Sequence, residues 1–105
     1  MPQQERGSGN HWLTCITIDQ DQFGATREEV RLILEAHNIE ARPVWKPLHL
    51  QPVFDGFRVR GGERSEAIFE RGLCLPSGSN LSQPDLERIC SLIVAAPESA
   101  TGARL

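Results

Sequence analysis

No stretch of this chain comes near the roughly 20 consecutive apolar residues that a membrane-crossing helix needs, so a transmembrane helix is excluded. A large charge of one sign is also missing. The 11 basic and 14 acidic side chains leave −3, which gives no electrostatic reason to expect nucleic acid or an anionic membrane as a partner. Residues Met1 to Gly9 lack the apolar stretch of a signal peptide and read as a flexible lead-in or linker. Cysteine is scarce: Cys15, Cys74 and Cys90 are odd in number, far apart and at no metal-ligand spacing. Each lies in an apolar stretch, which predicts small buried hydrophobes kept reduced in a cytoplasm, with no metal site and no thiol catalysis. There is no internal repeat, and 105 residues allow one domain with a modest core.

What is present alternates between strand and helix signals. Trp12 to Asp19 is rich in β-branched and aromatic residues and apolar on both faces, which predicts a central strand. Gln20 to Gly24 reads as a polar turn. Thr26 and Glu29 then form a capping box for a helix whose stripe is Val30, Ile33, Leu34 and His37, with His37 half-buried and hydrogen-bonded and Asn38 as the stop. Ile39 to Trp45 predicts a second strand, placed at a sheet edge by Pro43. Lys46 to Phe54 predicts a loop or a single short turn, and Asp55 to Glu63, ending in Gly61-Gly62, a mobile loop. Ser65 is placed to cap a helix through Arg71, with Ile68 and Phe69 inward and Gly72 as its break. Leu73 to Leu75 predicts a short buried strand. Ser82 caps the last helix, with a Leu81–Leu86 staple and a stripe of Leu86, Ile89, Cys90 and Ile93. Pro97 should end it, leaving 97–105 as a disordered tail. The order predicts an α+β fold: a small antiparallel or mixed sheet with helices packed on one face.

One segment resists explanation as packing alone. Arg42-Pro43-Val44-Trp45-Lys46-Pro47-Leu48-His49 places two cations, an imidazole and an indole in a proline-stiffened run. Stiffening lowers the entropy lost when such side chains meet a ligand. Arg42 has the fork for a carboxylate or phosphate, Lys46 a point charge for phosphate, and His49 a donor or proton relay. The alternative is a charged loop on an edge strand with Trp45 covering the core. Gly61-Gly62 lacks the strand-to-helix setting of a phosphate loop and reads as a plain turn. Trp45, Leu48, Leu50, Val53 and Phe54 are many apolar groups for one loop, which predicts self-association through it or its disorder.

The same segment, continued from Ile39 to Phe54, resembles a signature of the DegT/DnrJ/EryC1/StrS aminotransferases. Two further stretches resemble that family in the same order. Asn10-His11-Trp12-Leu13-Thr14 is similar to the opening of its small domain, and Ser65 to Gly78 to a helix and strand near its end. The likeness runs from about Asn10 to Val94. It implies the C-terminal small domain (residues 10–96) of a fold-type-I enzyme that moves an amino group, usually from glutamate, to a nucleotide-linked keto sugar. By the same resemblance, the lysine that carries pyridoxal phosphate lies in a large domain missing from this chain. The fragment is therefore expected to bind no cofactor and to be inactive alone. Asn10, Arg42, Lys46 and His49 become the expected substrate or amino-donor contacts, while His11 departs from the family pattern. A stand-alone small-molecule-binding module or a structural interaction domain are the other classes compatible with such a sandwich.

Overall fold

The structure, a computed structural model, describes residues 5–103, so Met1–Gln4 and Arg104–Leu105 of the expected lead-in and tail lie outside the described residues. Among those described, the elements are β1 (Thr14–Thr17), α1 (Gln20–Phe23), α2 (Arg27–Ala36), β2 (Arg42–Pro43), α3 (Glu63–Arg71), β3 (Gly72–Leu75) and α4 (Gln83–Ala103). The three strands form one antiparallel sheet in the order β1-β3-β2. Cys15 stands opposite Cys74 and Ile16 opposite Leu73, while Arg42 and Pro43 face Cys74 and Leu73 from the other side. The fold is α+β, with a wholly antiparallel sheet.

The expected centre of the sheet is displaced. The Trp12–Asp19 segment supplies only the four-residue edge strand β1, and β3 takes the middle because it alone is buried on both faces. Residues opposite one another in an antiparallel ladder share a face. One face therefore carries Ile16, Leu73 and Leu75, and it packs against Val30 and Leu34 of α2 and Ile89, Leu92 and Ile93 of α4. Leu73, Leu34 and Val30 are wholly buried, each contributing about 1.5–3 kcal/mol by leaving water. The other face carries Cys15, Cys74, Thr17, Gly72 and Arg42.

Helix α2 forms as its sequence signals require. Thr26 Oγ1 accepts from the Glu29 amide at 3.1 Å, and Glu29 Oε2 accepts from the Thr26 amide at 2.7 Å. Its far end is a Schellman turn: Asn38, at φ 59°, donates to the Glu35 carbonyl, and Ile39 donates to Leu34. Leu34 and Ile39, both buried, supply the apolar contact that accompanies such a turn. His37 is exposed rather than half-buried; its Nδ1 lies 2.9 Å from the Ile33 carbonyl, so a backbone contact, not burial, holds it.

Several other expectations are corrected. Gln20–Phe23 is a helical turn, because Asp19 accepts from the amides of Asp21 and Gln22 and Gly24 closes it at φ 91°. The second strand is only Arg42–Pro43, at the sheet edge as predicted. Lys46–Phe54 holds two 3-10 turns, Leu48–Leu50 and Pro52–Phe54, each with a proline at its start. Helix α3 begins at Glu63 behind Gly62, so Ser65 lies within its first turn and caps nothing. Ile68 is exposed and Phe69 half-buried beneath Arg27, whose guanidinium sits 5.3 Å from the ring and donates to the Phe69 carbonyl at 3.0 Å. Leu86 and Cys90 are exposed, and the buried stripe of α4 is Ile89, Ala96 and Ala100. Pro97 does not end α4: the helix runs on to Ala103, held to the core by two small buried residues on either side of the proline. Cys74, on the central strand, is the only buried cysteine of the three; Cys15 on the edge strand and Cys90 on α4 are exposed.

Candidate functional site

Of the residues predicted to meet substrate, Asn10 precedes β1, Arg42 lies in β2, and Lys46 and His49 follow β2. Arg42 lies on edge strand β2 with its Nε 2.6 Å from Glu40 Oε1. Both partners of this pair are largely exposed, so it orients the fork while contributing little stability. Past Pro43, Trp45 turns back toward Trp12, their ring centroids 5.8 Å apart and tilted by 40°. Such a pair adds about 0.5–1.5 kcal/mol beyond its burial, yet Trp12 and Trp45 remain 67% and 63% exposed. Asn10 Oδ1 accepts from the Trp12 amide at 3.2 Å, which ties the start of the described chain to this aromatic pair.

Arg42, Trp12 and Trp45 line an open cleft of about 760 Å³. Cys74 forms part of its wall, and Asn80 and Arg88 add donors that sequence reading had not singled out. Arg88 is already engaged, donating to the His37 carbonyl at 2.6 Å. Lys46 and His49 lie outside this cleft. Lys46 is exposed and has no ion-pair partner among the described residues. Its carbonyl accepts from Gln51 Nε2 at 3.1 Å, which braces the first 3-10 turn.

His49 is the most firmly held of the four. The turn beginning at Pro47 points its ring toward α3, where Nε2–H donates to Glu66 Oε1 at 2.7 Å. Gly62 makes room for the ring: a Cβ there would come within 2.7 Å of His49 Cε1, and its φ of 108° disfavours other residues independently. With Nε2 committed to a carboxylate, the neutral ring carries its proton there and offers Nδ1 as an acceptor. Nδ1 has no hydrogen-bond partner among the described residues. Sequence reading missed both supports. Glu66 is remote in the chain, and Gly61-Gly62 carries no signal that distinguishes a ring cradle from a turn.

The loop is built from two 3-10 turns and keeps its apolar groups outward, with Leu48 65% and Val53 72% exposed. The Leu50 amide bonds to Pro47 and the Phe54 amide to Gln51, so local turns hold the segment.

The profile of the DegT/DnrJ/EryC1/StrS aminotransferase family matches residues 1–94. The chain belongs to that family. It is 40% identical over 98 residues to EpsN of Bacillus subtilis (strain 168), a protein whose name provisionally describes a pyridoxal phosphate-dependent aminotransferase; the match covers 90% of this chain and 24% of EpsN. It is 32% identical over 85 residues to GDP-perosamine synthase of Vibrio cholerae, covering 80% of this chain and 23% of that protein. The chain thus spans about a quarter of the length of the curated relatives it matches. In fold it is similar to the aminotransferase TlmJ from Streptoalloteichus hindustanus, with a TM-score of 0.76 at 19% identity over 95% of this chain and 26% of TlmJ. It is also similar to Helicobacter pylori PseC, an aminotransferase of pseudoaminic acid biosynthesis, with a TM-score of 0.70 at 20% identity over 83% of this chain and 24% of PseC. The family membership and the antiparallel α+β fold agree with the resemblance read from the three sequence motifs.

Proposed function

We propose that this chain is the C-terminal small domain of a cytoplasmic, pyridoxal-phosphate-dependent enzyme that transfers an amino group, from glutamate, to a nucleotide-linked keto sugar. The observation that carries the proposal is the family match over residues 1–94, joined to a sugar-nucleotide enzyme among the relatives. Pyridoxal phosphate supplies the electron sink for amino transfer when bound. The described residues of this chain do not fit a seat for it. Lys46, the only lysine in the sequence, is exposed and without an acidic partner among the described residues, and it lies outside the cleft beneath the two tryptophans. We therefore assign the cofactor to a large domain outside this chain, and the chain alone is inactive.

In this reading the small domain supplies part of the substrate side. His49 is aimed by Glu66 and seated on Gly62, so its Nδ1 is held ready to accept from a hydroxyl or amino group of a bound ligand. Arg42 offers its fork to a carboxylate or phosphate, Lys46 adds a mobile positive charge, and Asn10 fixes the aromatic pair beside them. The exposed apolar loop is a surface for the large domain or a second copy of the chain. No described helix is long and apolar enough to cross a membrane.

The test is His49→Ala in the enzyme of full family length. Turnover of a nucleotide sugar falls by about 10²- to 10⁴-fold while the cofactor's visible absorbance is retained, as for loss of a positioned acid–base group. Unchanged turnover would make His49 a packing residue. A second reading, a stand-alone binding module, draws on the cleft beneath the two tryptophans. Quenching of their fluorescence by a nucleotide sugar added to this chain alone would favour it.

A further inference from the structure

We propose that Cys15 and Cys74 form a modification site: a dithiol that a small-molecule disulfide oxidises to an intrachain disulfide across the sheet. The inference rests on register and reach. Cys15 and Cys74 are directly opposed on antiparallel neighbours, so their side chains leave the same face of the sheet. Opposed Cα atoms in such ladders lie about 4.5 or 5.5 Å apart, and both separations fall within the range that a disulfide spans. The two Sγ atoms are already 3.5 Å apart and share a hydrogen bond. Closing to about 2.05 Å requires side-chain rotation rather than movement of the strands.

The two thiols differ in a way that orders the chemistry. Cys15 is exposed on the edge strand, whereas Cys74 is buried on the central one. Burial, reinforced by the neighbouring Cys15, pushes the Cys74 thiol up to about 11, even though Arg42 stands opposite it on β2. Cys15 therefore meets the oxidant first. Its thiolate attacks one sulfur of the small disulfide, forming a mixed disulfide and releasing one small thiol. Cys74 then attacks the Cys15 sulfur, forming the Cys15–Cys74 bond and releasing the second small thiol. Two electrons pass from the protein pair to the oxidant, and the two cysteine protons end on the two released thiols. Cys90 is exposed on α4 and has no hydrogen-bonded thiol partner among the described residues, so it can stop only at the mixed disulfide.

The bridge would tie edge strand β1 to the strand that organises the sheet. It would also place a covalent link in the wall of the cleft that Cys74 shares with Trp12 and Arg42. None of this depends on the aminotransferase reading.

The chain as it stands tests the idea. It is incubated with oxidised glutathione, quenched in acid, alkylated and digested with trypsin without reduction. We expect peptide 7–27 joined to peptide 72–88, in a species that runs as a monomer and reverts with dithiothreitol. Peptide 89–104, which holds Cys90, should appear alkylated or as a glutathione adduct. Closing this long loop should raise the thermal midpoint of the oxidised Cys90→Ser chain by about 5 °C or more over its reduced form. The Cys15→Ser chain, changed only at an exposed position, should leave Cys74 unmodified under the same treatment. Glutathione persisting on Cys15 while Cys74 stays alkylatable would overturn the proposal. So would a Cys15 link to Cys90, or one between two chains.

Discussion

The two faces of the three-stranded sheet are finished in opposite ways. One face, with Ile16, Leu73 and Leu75, is closed by α2 and α4, and each of those helices carries its own start signal and apolar stripe. The other face ends in exposed Cys15, Thr17 and Arg42, beside two exposed tryptophans and a loop that turns Leu48 and Val53 to solvent. The first face is completed by segments near it in the chain. The second is ordered by turns, caps and single hydrogen bonds, and its apolar groups await a surface that this chain does not provide among its described residues. Stability should therefore reside in the first face, and binding in the second.

Substitution at matched apolar sites breaks or sharpens that division, and the largest effect belongs to the closed face. Leu73→Ala should lower the unfolding free energy by about 2–5 kcal/mol, because it removes a wholly buried side chain and leaves a cavity that its neighbours fill only in part. Val53→Ala should stay within about 0.5 kcal/mol, since its side chain touches mainly water. Urea unfolding of both variants measures the contrast. Similar losses at the two sites would mean that the loop contributes to the core, and the comparison would fail.

A smaller effect tests the helix that closes the face. Thr26→Ala deletes the acceptor for the Glu29 amide, one half of the reciprocal cap. A loss of about 1 kcal/mol is expected by urea unfolding. Thr26→Ser should restore most of it, because the hydroxyl acceptor returns. If Ser fails to restore what Ala removes, the threonine methyl matters more than the cap.

Legibility in the sequence followed the same division. The capping box at Thr26, the stop at Asn38 and the edge position of Arg42–Pro43 were readable because each depends on residues within a few positions. The centre of the sheet was not. Trp12–Asp19 has the stronger strand composition, but β3 wins the middle position through packing on both faces, a tertiary effect that local pattern does not encode. Pro97 misled for a related reason. A proline forfeits one helix hydrogen bond, yet buried Ala96 and Ala100 keep the helix against the core beyond it. At the site, the residue types of Arg42, Lys46 and His49 were visible, but their grouping was not. Only the fold brings Glu66 and Gly62 to His49 and sets Lys46 apart from both.

The smallest expected effect comes from charge on the exposed side of α2, where the closed face meets water. Arg31 donates to Glu28 from both Nε and Nη2, and a second branch reaches Glu35 at 2.8 Å. The hydrogen bond from Arg31 holds the Glu28 carboxyl below its ordinary value near 4.5. A depressed carboxyl binds its proton more weakly in the folded chain than in the unfolded one. Its contribution is therefore complete above about pH 4.5 and is lost as pH falls through the lower folded value. Glu28 is half-exposed, so solvent screening limits the pair to about 0.2–0.5 kcal/mol. Asp85 is also held low, by hydrogen bonds from Ser82, so acid weakening of the parent chain alone would not isolate Glu28. The Glu28→Gln difference does: the variant should be slightly less stable than the parent at neutral pH and low salt. The gap should close as pH drops below the range of both carboxyl values, and shrink in high salt at neutral pH. A gap that persists unchanged in acid would mean that the Glu28 side chain acts through packing on α2 rather than through its charge.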